Sequence, residues 1–421
     1  MVAGVSLLLP VFNISITFAN LFGIGGGTLI SRLMGAKRED EAKTVSAFCF
    51  YMTILSAGIF ALSMLAFLEP VLRLLGASND TLPFAKQYTF CVIVLGAVPT
   101  ILTMTLSNLL RSTGYAKQAG FGVSMGGMIN IALDPLFMFV LLPKGYEVLG
   151  AGIATMLSNV ISCSYFLMMI YRLRHKGILS LSIRNVIPSR KNAYSIFAVG
   201  VPAAIAVTLF DITYIIIDKL ASGYGDIPLA AVGIVLKAER LPLNVGIGLC
   251  QGMMPLAAYN YSARNFKRMR EVVNYSRFVG LVIGFAAVAM YEIFAPFIMR
   301  IFIEDAQTVE LGTHFLRARV LATPFMFMCF HLVNFFQAVG YGGKAVLDGV
   351  ELKGSAGNST SGSFRLLFDD SVFGVSSTLP TLVMWYSAFS TVMMWFSKSI
   401  LSHVSPASSP RLKPPYIASR K

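Results

Sequence analysis

LFGIGGGTLISRLMGAKRED, residues 21 to 40, comes back in outline as GLCQGMMPLAAYNYSARNFK, residues 248 to 267. At that offset of 227, Gly25 meets Gly252, Ala36 meets Ala263 and Lys37 meets Arg264. Upstream the register holds, with VAGVSL (2 to 7) over LAAVGI (229 to 234). A second pair, NLLRSTGYAKQA (108 to 119) and NFFQAVGYGGKA (334 to 345), is offset by 226 and aligns Asn108 with Asn334, Gly114 with Gly340 and Tyr115 with Tyr341. An apolar run closed by a basic turn, repeated at this interval, describes a chain made of two bundles with similar hydropathy.

Composition says what medium those bundles occupy. Of 421 residues, 56% are hydrophobic and 13% charged, with a mean hydropathy of +0.70. That balance belongs to an integral membrane protein, whose backbone must satisfy itself within helices across a hydrocarbon core of about 30 Å. Nine spans are expected, at 2–34, 44–68, 84–111, 119–142, 148–171, 193–220, 228–260, 272–299 and 313–340. The net charge of +14 lies in alternate loops, at 35–43, 111–117, 172–191 and 263–270, while the loops near 69–83, 143–147, 221–227 and 300–312 carry few Lys or Arg. Basic loops stay in the cytoplasm, so the charge orients the chain and argues against nucleic-acid binding. The basic turn has the same sidedness in both copies. The repeats are therefore parallel, related by an axis along the membrane normal, with a substrate path expected between two lobes.

Enzymatic chemistry finds no footing. Cys49, Cys91, Cys163, Cys250 and Cys329 are scattered singly through apolar spans, as small core residues are. No nucleophile-base pair, HExxH motif or phosphate-cradling glycine loop appears, and His331, alone inside a span, is expected to hydrogen-bond a neighbouring helix. Twenty-one Met and thirty-two Phe supply walls for an adaptable cavity, but at helical spacing such residues are ordinary core or lipid contacts.

The informative polar residues are the acids within spans. Asp134 lies in NIALDPLFMF (130 to 139), where an unpaired charge costs roughly 2.5–3.5 kcal/mol on insertion scales. Asn130 is one helical turn away on the same face, and Pro135 removes a backbone donor and frees a carbonyl near Ile131. Amide oxygen, carboxylate and carbonyl suit Na+, and a desolvated carboxylate suits H+; the competing reading is a carboxylate bonded to an adjacent helix for structure alone. In the second half, Asp211, Tyr214 and Asp218 share one helix face, with Asp218 near the outer end and more easily wetted. Glu239 sits between Lys237 and Arg240 and is separated from Lys237 by about 200° around the helix, so it either neutralises a base on another helix or takes part in cation coupling.

The glycine-rich span leading into SRLMGAKREDEA, the NLLRSTGYAK loop, NIALDPLFMF and GIVLKAERLPLNVGIGLCQGMMPLAAYNYSARNFKRM together resemble the multidrug and toxic compound extrusion (MATE) family, in its MepA-like bacterial branch, over residues 1 to about 346. The resemblance implies a polytopic all-α bundle with two pseudo-symmetric six-helix lobes in the cell membrane, exporting small organic cations by Na+- or H+-driven antiport. It implies no cofactor beyond the coupling ion, and a monomer is expected. It also places Asn130 and Asp134 in a first-lobe cation site, with Thr155 supplying a hydroxyl from the following helix.

On this reading residues 1–171 form the N-terminal lobe, 172–192 a cytoplasmic connection, 193–346 the C-terminal lobe and 347–421 a divergent tail. The helix 193–220 has no counterpart before Met1, so the chain is expected to begin inside the family's second span, and a carboxylate pairing with Asp218 would fall at 218 − 227 = −9. Asp134's mate falls at 134 + 226 = 360, which is Thr360. Beyond Ala345 the second copy departs at once into LDGVELKGSAGNSTSGSFRLLFDD, and sixteen of the seventy-five residues from 347 on are serine, which points to a frameshift or a fused foreign end. An inactive remnant of such a transporter is thus one competing reading. A lipid-linked oligosaccharide flippase of related fold is another, for which a strongly cationic central cavity is expected.

Overall fold

The computed structural model describes residues 9–340 apart from 144, 174–178, 184–185 and 224, and within its helices the side chains of 9–10 and 207–220 are left undescribed. The divergent tail, the initial residues, Thr360 and the side chains of Asp211, Tyr214 and Asp218 therefore lie outside the described residues. What is described is helical and strand-free: α1 (Leu9–Gly35), α2 (Glu39–Ala66), α3 (Leu68–Leu74), α4 (Leu82–Thr89), α5 (Ala97–Ser112), α6 (Ala116–Pro135), α7 (Glu147–Leu173), α8 (Arg190–Ser222), α9 (Asp226–Ser262), α10 (Phe266–Phe302), α11 (Ala306–Val320) and α12 (Thr323–Val339). Two π-helical segments, Phe90–Leu95 and Leu136–Leu141, extend α4 and α6.

Among the described residues, six helices are long and apolar enough to cross a bilayer: α1, α2, α6 with its π-helical extension, α7, α9 and α10. The spans expected at 84–111 and 313–340 are each broken, bending by 50° between Leu95 and Ala97 and by 43° between Val320 and Thr323. Pro99 and Pro324 stand in the first turn beyond each break, and each removes the donor that would have met the carbonyl four residues earlier. The span expected at 193–220 corresponds to α8.

The repeat is visible in the backbone as well as in the letters. Among the described residues, the two non-glycine residues with positive φ are Lys37 (59°) and Arg264 (58°), which the 227 offset pairs. Gly114 and Gly340, paired by the 226 offset, have φ of 93° and 92°. Both turns use the same bonds: Arg38 N donates to Leu33 O at 2.8 Å, and Asn265 N to Asn260 O at 2.9 Å. Left-handed conformation is unfavourable for a residue with a Cβ, so its recurrence at equivalent sites marks a shared turn architecture.

The two halves meet near the cytoplasmic ends of their helices. Gly35 of α1 rests on the backbone of Tyr259 and Ala263 at the end of α9, so closely that a Cβ would stand 3.1 Å from the Ala263 nitrogen and overlap the Tyr259 carbonyl. Arg111 Nη1 of α5 donates to Gln251 Oε1 of α9 at 2.9 Å, and the Arg32 guanidinium lies against Gly340. Ile24 joins Val199, Met253, Met254, Ala257, Phe335 and their neighbours in one buried cluster across this junction. The clusters nearer the outer side draw on one half only: Val11, Met64, Val92 and Ile93 in the first, and Val235, Ala287, Tyr291 and Val309 in the second. Helix α8 crosses α1 where Gly200 meets Leu21 and Gly25 meets Ile196, backbone against backbone. The connection after α7 is tied to α2 by Ser180 N to Ser46 Oγ (2.8 Å) and Tyr51 Oη to Leu181 O (2.9 Å), and the first turn of α8 by Asn192 Nδ2 to Glu41 Oε2 (2.7 Å).

Candidate functional site

Helices α6 and α7 run antiparallel and bring Asn130, Asp134 and Thr155 together. Asn130 Nδ2 donates to Asp134 Oδ1 at 3.2 Å along α6, and its distance to Thr155 Oγ1 of α7 is 3.5 Å. All three side chains are half-buried. The hydrogen bond that Asp134 accepts thus comes from its own helix, one turn back, as the i, i+4 spacing predicts. Pro135 ends α6, and the backbone widens at once into the π-helical Leu136–Leu141. Wide turns of this kind leave carbonyl oxygens without their usual partners and recur at functional sites.

Local sequence makes the approach possible. Gly150 of α7 packs against the Phe137–Met138 peptide, where a Cβ would stand 2.8 Å from the Phe137 carbonyl. Gly152 packs against Cys91 and Tyr88, where a Cβ would stand 3.1 Å from the cysteine Cβ. The Thr155 carbonyl accepts from Ser158 Oγ at 2.9 Å and Asn159 Nδ2 at 3.0 Å, while Thr103 Oγ1 of α5 donates to the Asn159 carbonyl at 3.3 Å. These bonds hold α7 and fix where the Thr155 hydroxyl stands. Tyr88, at the end of α4, completes the group: its phenol lies beside Thr155 and near Asp134. Sequence reasoning missed Tyr88, which lies 46 positions from Asp134 in no motif (134 − 88), and no feature of the sequence marks it.

The arrangement offers one carboxylate, one amide oxygen, one hydroxyl and one phenol, all hard oxygen donors of the type that takes Na+, with a carboxylate that can instead take a proton. Among the described residues no group of three or more His, Cys, Asp or Glu side chains is placed to hold a metal.

Glu239 has a different setting. It is 2% exposed, and its carboxylate is ion-paired with the Arg319 guanidinium of α11. Tyr291 of α10 donates its hydroxyl to the neighbouring Ala238 carbonyl at 2.7 Å. Neutralisation of a base on another helix, one of the two roles expected for Glu239, is the one this geometry displays. His331 is likewise accounted for by a neighbouring helix, with Nε2 2.8 Å from Ser276 Oγ of α10.

Known proteins fall in line with this architecture. A family model described as MatE matches residues 1–136 and 202–346. The multidrug export protein MepA of Staphylococcus saprophyticus is 32% identical over 351 residues, covering 82% of this chain and 75% of its own. MepA of Staphylococcus aureus is 31% identical over 350 residues with the same coverage. Among solved structures, an outward-facing MATE family transporter of the MOP superfamily superposes with a TM-score of 0.78 at 21% identity, over 96% of this chain and 88% of its own. A MOP superfamily transporter from Pyrococcus furiosus, described as having a binding pocket of reverse polarity, superposes with a TM-score of 0.76 at 21% identity over the same shares. Given the family match over more than half its length, the MepA relatives and the helical architecture, the chain belongs to the MATE family, in its MepA-like branch, as a multi-pass protein of the cell membrane.

Proposed function

We propose that the protein exports small amphipathic drugs, organic cations among them, in exchange for Na+ or H+ bound at Asp134. The observation carrying the reading is the half-buried carboxylate held by Asn130 beside the Thr155 and Tyr88 hydroxyls, in a lobe whose contact with the other lobe is made near the cytoplasm. A closure at that end, with single-lobe clusters toward the outside, corresponds to the half of a transport cycle that faces outward. In that state an ion arriving from outside neutralises Asp134. A bound organic cation then loses an attractive partner, and the lobe arrangement that suits the ion-loaded lobe gains population in proportion to its differential affinity.

The experiment is reconstitution of the full chain into vesicles loaded with a cationic dye, with imposed inward gradients of Na+ or H+. Accelerated dye movement under one gradient identifies the coupling ion. Equal movement under both gradients and under none would leave the inactive-remnant reading standing.

A further inference from the structure

We infer that the connection between the lobes docks on the inner leaflet of the membrane, with Ile183 and Ile187 seated where headgroups meet acyl chains and Arg190 and Lys191 on the headgroups of anionic phospholipids. The contact is independent of what the protein transports.

Two ties to α2 set the depth. Lys43 is the last charged residue of that helix, so its apolar part begins at Thr44. Ser46 and Tyr51 stand three and eight positions past Lys43, roughly 5 and 12 Å along the axis at about 1.5 Å per residue. Ser46 Oγ accepts from Ser180 N and Tyr51 Oη donates to Leu181 O, which holds this part of the connection against the apolar part of α2. The second tie, Asn192 Nδ2 to Glu41 Oε2, returns the chain to the charged first turn. Ile183 and Ile187 fall between these ties in the chain, at the boundary between charge and hydrocarbon.

Both side chains stand clear of the rest of the protein. Leu179, just before the first tie, is buried, whereas Ile183 is 71% exposed and Ile187 90% exposed. Tyr171 near the end of α7 and Tyr194 near the start of α8, which flank the connection in sequence, are 61% and 75% exposed. Tyrosine concentrates at the membrane–water interface, with its ring toward the chains and its hydroxyl toward water. At that depth an exposed isoleucine is covered by lipid, with a gain proportional to the apolar area removed from water.

Charge selects the lipid. Residues 172–192 contain six Lys or Arg and no Asp or Glu. Arg190 and Lys191, both exposed, follow Ile187 by three and four positions. Two acids in the first turns of α2 already have partners: Asp40 is ion-paired with Lys43, and Glu41, which lies near Lys191, is ion-paired with Arg38 and accepts from Asn192. Long basic side chains at the edge of the hydrocarbon carry their charge to headgroup level, where anionic lipids attract it. Because the same segment takes the chain from one lobe to the other, lipid held there bears on movement between them.

The test uses the full chain with bimane attached at Ile187→Cys, reconstituted into phosphatidylcholine vesicles containing phosphatidylglycerol; the identically treated parent corrects for labelling of native cysteines. Quenching by iodide present on both faces is compared with quenching by phosphatidylcholine or phosphatidylglycerol carrying a nitroxide on the upper acyl chain, at equal mole fractions. The label is expected to be quenched by the lipids and sheltered from iodide, with the phosphatidylglycerol nitroxide enriched at least about fivefold at the site, equivalent to about 1 kcal/mol for one basic group near the surface. Arg190→Gln with Lys191→Gln is expected to abolish that preference while the label stays in the lipid and thermal unfolding is unchanged, and Arg190→Lys with Lys191→Arg is expected to keep it. A label reached by iodide and not by lipid would overturn the inference. So would equal quenching by the two lipids in the parent, or a preference that survives the glutamine substitutions. A label sheltered from iodide and lipid alike would overturn it too, because residues beyond 340 or a second copy of the chain would then cover the segment.

Discussion

Gly35→Ala tests the cytoplasmic closure at its tightest point. A Cβ there would overlap the Tyr259 carbonyl oxygen and approach the Ala263 nitrogen to 3.1 Å, and both obstacles are backbone atoms of α9 that cannot rotate away. The two helices would have to separate by about 1 Å to restore ordinary contact, because close-packed helices leave no slack to absorb the added methyl. Overpacking of this kind costs typically about 1–3 kcal/mol. At about 1.36 kcal/mol per tenfold, the closed arrangement loses roughly five- to 150-fold in population against one with the cytoplasmic ends apart. Spin labels at Lys117→Cys and Lys267→Cys, exposed positions at the cytoplasmic starts of α6 and α10, read the separation by double electron–electron resonance. Four of the five native cysteines are buried, which favours labelling of the introduced pair. Gly35→Ala is expected to move the distance distribution to longer values. Gly58→Ala, at a glycine of α2 where a Cβ meets nothing within 4 Å, is expected to leave it unchanged and to gain up to about 1 kcal/mol from helix propensity. An unaltered distribution in Gly35→Ala would refute the closure.

Three further outcomes follow from the same geometry. Ser276→Ala removes the partner of the buried His331 ring and should lower the melting temperature by the equivalent of about 1–3 kcal/mol while leaving dye transport intact; lost transport at unchanged stability would give that histidine a working role. Arg319→Met strands the Glu239 carboxylate in the lobe interior and should destabilise by about 3–5 kcal/mol, more than Glu239→Gln, as measured by thermal unfolding; the reverse order would deny that the pair is structural. The Asp305 carboxyl, in the outer loop, is held below the usual carboxylate range by the Thr308 hydroxyl and backbone nitrogen, at 2.6 and 2.8 Å. Its contribution to the first turn of α11 is present above the unfolded value of about 3.9 and is lost as pH falls through the lower folded value; a carboxyl titration followed by NMR should show a depressed midpoint, and an ordinary one would contradict the cap.

Much of the fold was legible because the chain states it twice. A turn that places Lys37 in the left-handed region does the same to Arg264, and the shared letters around both announced the shared geometry. Asn130 and Asp134 were legible for a simpler reason: they are one turn apart on one helix, where spacing alone determines the face. Thr155 came from family resemblance, and Tyr88 from neither source, because its place depends on Gly152 letting α4 lie close to α7, a packing event between segments remote in sequence. The partner of Glu239 was hidden in the same way, since spacing could say that it lay on another helix but not that it was Arg319. The breaks at Gly96 and Leu321 were partly signalled by Pro99 and Pro324, but apolar composition runs straight through both and reads as continuous span.

Coupling at Asp134 is most directly tested by comparing ion-driven dye transport in vesicles containing the parent protein or Asp134→Asn, at matched reconstitution and with the same imposed gradient. The amide keeps the shape and the contact with Asn130 but cannot hold a cation's charge or take up a proton. The account predicts that the gradient accelerates transport by the parent and has no effect on the variant. A variant that responds to the gradient as the parent does would contradict it.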